Sequence, residues 1–148
     1  MCNNTERGDT VTALGRNINA IDRYLRQKRR EYMEPLGLKG IHAWLCVTIC
    51  GAPGASQDQI VKKLWFDKST IARQLELLEG MGFVERKPSA TDKRVICVYP
   101  TQKMLEFLPG LNRAMDEREA FLLDVLEPEE QEQLLALLRK IRRRAEEA

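Results

Sequence analysis

The chain has 148 residues, of which 43% are hydrophobic and 31% charged, with a net charge of only +2. That length suits one domain with a core that needs neither disulfide nor metal, and the small net charge means that a surface for nucleic acid has to be local. A single histidine, no phosphate-cradling glycine loop, no C-x-x-C pair and no nucleophile elbow argue against an enzyme, and no cofactor or metal is expected.

The polar opening Met1–Thr10 predicts no signal peptide, and the interrupted apolar run Ala43–Ala55 is too short to span a bilayer. A cytoplasmic protein with no membrane partner is expected, its cysteines Cys2, Cys46, Cys50 and Cys97 held as free thiols. Beyond that opening, Val11, Leu14, Ile18, Ile21 and Leu25 step 3, 4, 3, 4, the seam of a helix that packs on another helix. In the next helix His42, Cys46 and Cys50 share a face at i, i+4 and i+8. His42 and Cys50 are then roughly 12 Å apart along the axis, too far to converge on one ion, so packing thiols are expected. A Cys46–Cys50 disulfide would strain the helix.

Ser56 followed by Gln59 forms a capping box that opens a short helix through Ile60, Val61 and Leu64. Only Trp65 and Phe66 separate it from Asp67, which is placed to cap a second helix, and Trp65 is expected to pack in the turn between the two. On that helix Ile71, Leu75 and Leu78 recur at i, i+4 and i+7 and face a core, while Lys68, Ser69, Thr70, Arg73 and Gln74 fall on other faces. Ser69, Thr70, Arg73 and Gln74 can read base edges; Lys68 suits phosphate. Ser56 and Gln57, at the start of the preceding helix, are candidates for the DNA backbone.

Gly80 and Gly82 close the helix, Phe83–Lys87 reads as a strand and Val95–Tyr99 as its return. Between them Pro88–Arg94 carries Ser89, Asp92, Lys93 and Arg94 and no large apolar side chain, as a hairpin tip that reaches phosphate or a minor groove requires. From Lys62 to Arg94 eight basic side chains face five acidic ones, a local excess of three positive charges.

Thr101–Leu126 should be mostly helical, with a kink or break near Leu105–Leu108 caused by Pro109-Gly110. Pro128 opens a last helix whose apolar face carries Leu134, Leu138 and Ile141, widened by Leu135 and Leu137. Its basic end, Arg139–Arg144, suits the negative pole of a helix. Neither terminal helix buries its stripe alone. A winged helix offers little surface to cover both, which favours a dimer through Val11, Leu14, Ile18, Ile21, Leu134, Leu138 and Ile141 over packing within one chain.

These motifs resemble the MarR (multiple antibiotic resistance regulator) family. The resemblance rests on Asp67–Arg73 (DKSTIAR), Gly82–Arg86 (GFVER) and Asp92–Arg94 (DKR), and extends more weakly over nearly the whole chain. It implies a mostly α fold with a small β-wing, divided into a winged helix-turn-helix over residues 38–100 and a helical dimerisation region from residues 10–33 and 102–146. It also implies a homodimer on a pseudo-palindromic operator of double-stranded DNA, usually a repressor, relieved by a small aromatic ligand or an oxidant. Carried over, Ser69, Thr70, Arg73 and Gln74 would read the major groove, and Arg94, oriented by Asp92, the minor groove. The chain departs from the family pattern at Trp65, Pro100, Met104 and Lys39-Gly40-Ile41-His42. The alternative is an adaptor that binds protein through Trp65-Phe66 without specific DNA binding.

Overall fold

The computed structural model describes residues 4–148, with side-chain surroundings for residues 13–148. The order is α1 (Asn4–Met33), a 3-10 turn (Glu34–Leu36), α2 (Gly40–Gly51), β1 (Ala55–Ser56), α3 (Gln57–Leu64), α4 (Lys68–Gly80), β2 (Val84–Pro88), β3 (Ile96–Pro100), α5 (Gln102–Leu123) and α6 (Pro128–Glu146). The fold is therefore mostly α with a small β-wing. It divides into two compact units, Met1–Ala114 and Met115–Ala148.

In the first unit the three strands lie antiparallel in the order β1-β3-β2, with Ala55 opposite Val98 and Arg86 opposite Val98 on the other edge. Burial selects the side chains that period and pattern single out: Ile60 on α3, Ile71, Leu75 and Leu78 on α4, Val84 and Val98 on the strands, and Ala43, Leu45 and Ile49 on α2 are all at most 2% exposed. Met33 from α1 and Met104 and Leu111 from α5 complete this core. The α4–β2 turn closes on Gly82, whose φ of +79° lies in the left-handed region that glycine enters at little cost. Thr101 then ties the far end of the hairpin back, its hydroxyl donating to the carbonyl of Gly82 at 2.6 Å.

Two sequence expectations change here. Of the kink or break expected near Leu105–Leu108, the break does not form: helix α5 is continuous from Gln102 to Leu123 through Pro109. Pro109 removes only one backbone donor, and Gly110 beside it lets the helix pass close to Tyr32, whose hydroxyl would sit 3.1 Å from any added Cβ. Trp65, in the turn between α3 and α4, is 67% exposed and does not pack between the helices.

In the second unit, Glu127 caps α6, its backbone N–H donating to Glu130 at 2.9 Å, with Pro128 at the first helical position. The amide of Gln131 donates to the carbonyls of Leu123 and Leu126 at 3.0 and 3.1 Å, satisfying the end of α5. No residue of α6 is buried.

Among the described residues Trp65 is the one non-glycine with a positive φ, +59°. A left-handed residue with a Cβ costs roughly 1–2 kcal/mol, and its exposed indole recovers little of that by packing. Trp65→Gly is therefore expected to leave the unfolding free energy measured in urea unchanged or raise it by up to about 1 kcal/mol, after the glycine's larger unfolded-state entropy is subtracted.

Candidate nucleic-acid interface

Short-range chemistry builds the helix-turn-helix. The hydroxyl of Ser56 accepts the backbone N–H of Gln59 at 3.1 Å, and the Gln59 side chain returns the favour to the Ser56 N–H at 2.9 Å, closing the capping box of α3. Asp67 does more at the start of α4. Its carboxylate accepts the Thr70 N–H at 2.8 Å and the Thr70 hydroxyl at 2.6 Å, and these bonds, the hydroxyl first, hold the carboxyl below its ordinary value. Lys68 reaches across the turn to Asp58, 3.1 Å away, joining the first turns of the two helices.

The face of α4 turned from the core carries Lys68, Ser69 and Arg73, all exposed. Thr70 is half-buried and its hydroxyl hydrogen is given to Asp67, so only acceptor capacity remains. Gln74 is a correction. It is 7% exposed and its Oε1 lies 2.9 Å from His42 Nε2, so its amide is turned inward and not toward a groove. Ile71, Gln74, Leu75 and Leu78 are spaced i, i+3, i+4, i+7, one buried stripe with a polar member. That spacing was the available signal.

His42 is 3% exposed and is fixed at both ring nitrogens. The Lys39 backbone N–H donates to Nδ1 at 3.0 Å, so the hydrogen sits on Nε2 and is donated to Gln74. Burial foremost, with the charge of Lys39, lowers the histidine pKa, and the Gln74 bond opposes them. One turn on, burial pushes the Cys46 thiol up to about 12 and the Cys50 thiol is raised for the same first reason, so both remain thiols. No cluster of three or more metal-ligating side chains occurs among the described residues. Cys2 and the side chain of Val11 lie outside those described.

The hairpin tip is ordered by its own polar groups. Asp92 Oδ1 accepts the backbone N–H of Arg94 at 3.0 Å and its Nε at 3.2 Å, while the Arg94 side chain is 92% exposed. The Ser89 hydroxyl is engaged with Thr91, at 3.1 Å from its hydroxyl, and the Ser89 N–H donates to Val95 at 2.8 Å. Lys93 is exposed. Behind the loop, Arg86 donates to Glu79 at 2.7 Å and to Gln57 Oε1 at 3.5 Å, pinning β2 to the end of α4 and the start of α3. No local pattern in the sequence pairs these three.

A groove of about 900 Å³ among α1, the start of α2 and the α3–α4 turn is lined by Asp22 and by Arg23, Arg26, Arg29 and Arg30, with Trp44 and Phe66 as its aromatic members. Arg29 stacks over the Trp44 ring at 4.7 Å, and Arg26 pairs with Asp22 at 2.6 Å.

A capped helix beside a second capped helix, with a charged hairpin after it, defines a winged helix-turn-helix protein. The description of the MarR family matches residues 44–96. The chain is 30% identical over 100 residues to the uncharacterized HTH-type transcriptional regulator YybA of Bacillus subtilis (strain 168), covering 68% of this chain and 67% of that one. The crystal structure of the transcriptional regulator SlyA superimposes with a TM-score of 0.85 at 28% identity, over 90% of this chain and 94% of SlyA. A MarR family regulator from Listeria monocytogenes, solved with a 26mer DNA, superimposes with a TM-score of 0.84 at 25% identity, over 89% of this chain and 88% of that one. The chain belongs to the MarR family of DNA-binding transcriptional regulators, which are not enzymes. No helix among the described residues is long and apolar enough to cross a membrane.

Because the folded state keeps His42 neutral, the unfolded chain takes up more protons once pH drops below the ordinary histidine value of 6.5. The contribution of His42 is complete above that value and is lost as pH falls through the lower folded value. The urea midpoint is expected to fall on acidification below pH 6.5, and His42→Gln to remove that component of the slope. An identical slope in the variant would show that His42 does not carry it.

Proposed function

We propose that the protein is a homodimeric, sequence-specific repressor of a pseudo-palindromic operator, released by a small-molecule ligand. The observation that carries this reading is α4: one face is buried at Ile71, Leu75 and Leu78, and the other presents Lys68, Ser69 and Arg73 beside a tight turn. Ser69, Thr70 as an acceptor, and Arg73 would read base edges. Lys68, Ser56 and Gln57 would meet the backbone, with Gln57 offering its amide nitrogen because its oxygen faces Arg86. Ser89, Asp92, Lys93 and Arg94 would form the minor-groove contact, Asp92 orienting Arg94.

The homodimer is supported by apolar side chains left in solvent within each unit: Leu14, Ile18 and Ile21 on α1, and Leu135, Leu137, Leu138 and Ile141 on α6, beside the half-buried Leu134. Exposed stripes of this length are the mark of an unfilled interface. Of the two triggers the small molecule is favoured, because a groove is present to receive it and burial keeps Cys46 and Cys50, the paired thiols of α2, protonated. The arginine and aromatic walls of the groove suit a small aromatic anion.

Selection from random-sequence DNA is expected to enrich an inverted repeat with half-sites about one turn, roughly 34 Å, apart. Arg73→Ala should cost about 1–3 kcal/mol of preference for that site. Arg94→Ala should weaken binding to all sequences and make the salt slope shallower by about one. Absence of enrichment, with only weak salt-sensitive binding, would favour the protein adaptor suggested by the exposed Trp65.

The dimer has its own check. Ile18→Glu or Leu138→Glu is expected to convert the protein to monomer in sedimentation and to lower operator affinity far more than Leu36→Glu, an exposed residue off both stripes. Unchanged mass in both stripe variants would refute the interface.

A further inference from the structure

The core of the first unit is apolar except at a few points, and the one that touches the recognition helix is the His42–Gln74 bond. Both partners are buried, 32 residues apart in sequence, and one sits in the first turn of α2 and the other in the middle of α4. Apolar contacts such as Ile71, Leu75 and Leu78 against the core are non-directional and tolerate a helix that slides or turns by a few degrees. A hydrogen bond at 2.9 Å between buried groups does not, because a small rotation of α4 leaves an amide oxygen and an imidazole N–H unpaired without water. The imidazole is itself immobilised, since the Lys39 N–H holds Nδ1 and thereby fixes both ring orientation and tautomer. The α2 end of the bond is therefore a rigid reference point. Arg73 is the residue before Gln74, so the angle at which Gln74 is held sets the angle at which Arg73 leaves the helix.

We infer that the His42–Gln74 hydrogen bond is a positioning contact for DNA reading: it sets the rotation of α4 on the core, and Gln74 governs operator selectivity without touching a base. This rests on the operator-binding reading above. Charge takes no part in the bond, since Gln74 is neutral, the ring is neutral, and Lys39, the cap residue before His42's helix, is the charged group acting on it.

The contact predicts a particular signature. Selectivity, the ratio of affinity for the enriched site to that for a scrambled duplex of equal length, should depend on the bond, whereas phosphate-driven binding to the scrambled duplex should not. His42→Leu keeps the volume but strands the Gln74 oxygen; His42→Gln restores a donor near the position of Nε2. Gln74→Met removes the acceptor from the other side.

The experiment measures both affinities and the salt slope for these variants and the unaltered chain, at a temperature well below each melting transition. His42→Leu and Gln74→Met are expected to lower the ratio by about tenfold with the scrambled-duplex affinity and salt slope unchanged, and His42→Gln to return it to within about threefold. A ratio unchanged in the Leu and Met variants overturns the inference, as does His42→Gln failing alongside His42→Leu. Should His42→Leu not fold, the comparison of Gln74→Met with His42→Gln decides alone. An unaltered chain with no preference for any site overturns the operator reading itself, and this inference with it, while a preference that survives the loss of the bond overturns only the inference.

Discussion

Everything at the DNA-facing end depends on how α4 divides its surface. A thirteen-residue helix has to bury enough apolar area to stay attached to a small core, yet leave a continuous polar face for a groove. Ile71, Leu75 and Leu78 are at most 1% exposed, and at roughly 1.5–3 kcal/mol per fully buried aliphatic side chain they hold the helix down without help from its polar face. Ser69 and Arg73 then bear almost no structural duty and can be chosen by the ligand. Asp67 completes the division by satisfying the first-turn amide of Thr70, so no base-reading side chain has to fold back as a cap.

Several of the surrounding polar contacts share a second property: they fix one secondary-structure element against another. Arg86 links β2 to the end of α4 and the start of α3, Lys68 and Asp58 join the two helices of the motif, and Thr101 anchors the hairpin to Gly82. Most are solvated, and exposed ion pairs are worth little in stability, about 0–1 kcal/mol. Their effect is geometric, narrowing the angles that apolar packing leaves open.

How much of this was legible in the sequence follows from the range of each interaction. Ser56 with Gln59, Asp67 with Thr70 and Gly82 at the helix end act within four residues, and the sequence places them correctly along with both strands of the hairpin to within one residue at each end. The family resemblance added the mostly α fold and the regulatory class. What escaped was long-range. Gln74 looks polar and outward until His42, 32 residues earlier, supplies its partner, although its i+3 place in the apolar stripe carried a hint. Trp65 looks like a core residue by type, but the sharp turn at φ +59° throws it into solvent. Pro109 looks like a helix breaker, yet α5 continues through it at the loss of a single backbone donor.

The chain has two tryptophans, and the fold puts them in contrasting optical settings. Trp65 stands in water two residues before the cap of the recognition helix, where its emission is red-shifted and open to a soluble quencher. Trp44 lies beneath the Arg29 guanidinium on the wall of the groove, where a nearby cation perturbs the indole and an occupant would shield it. Intrinsic fluorescence therefore carries two reports from this unit without any label: the solvent-exposed turn through one indole, the groove wall through the other.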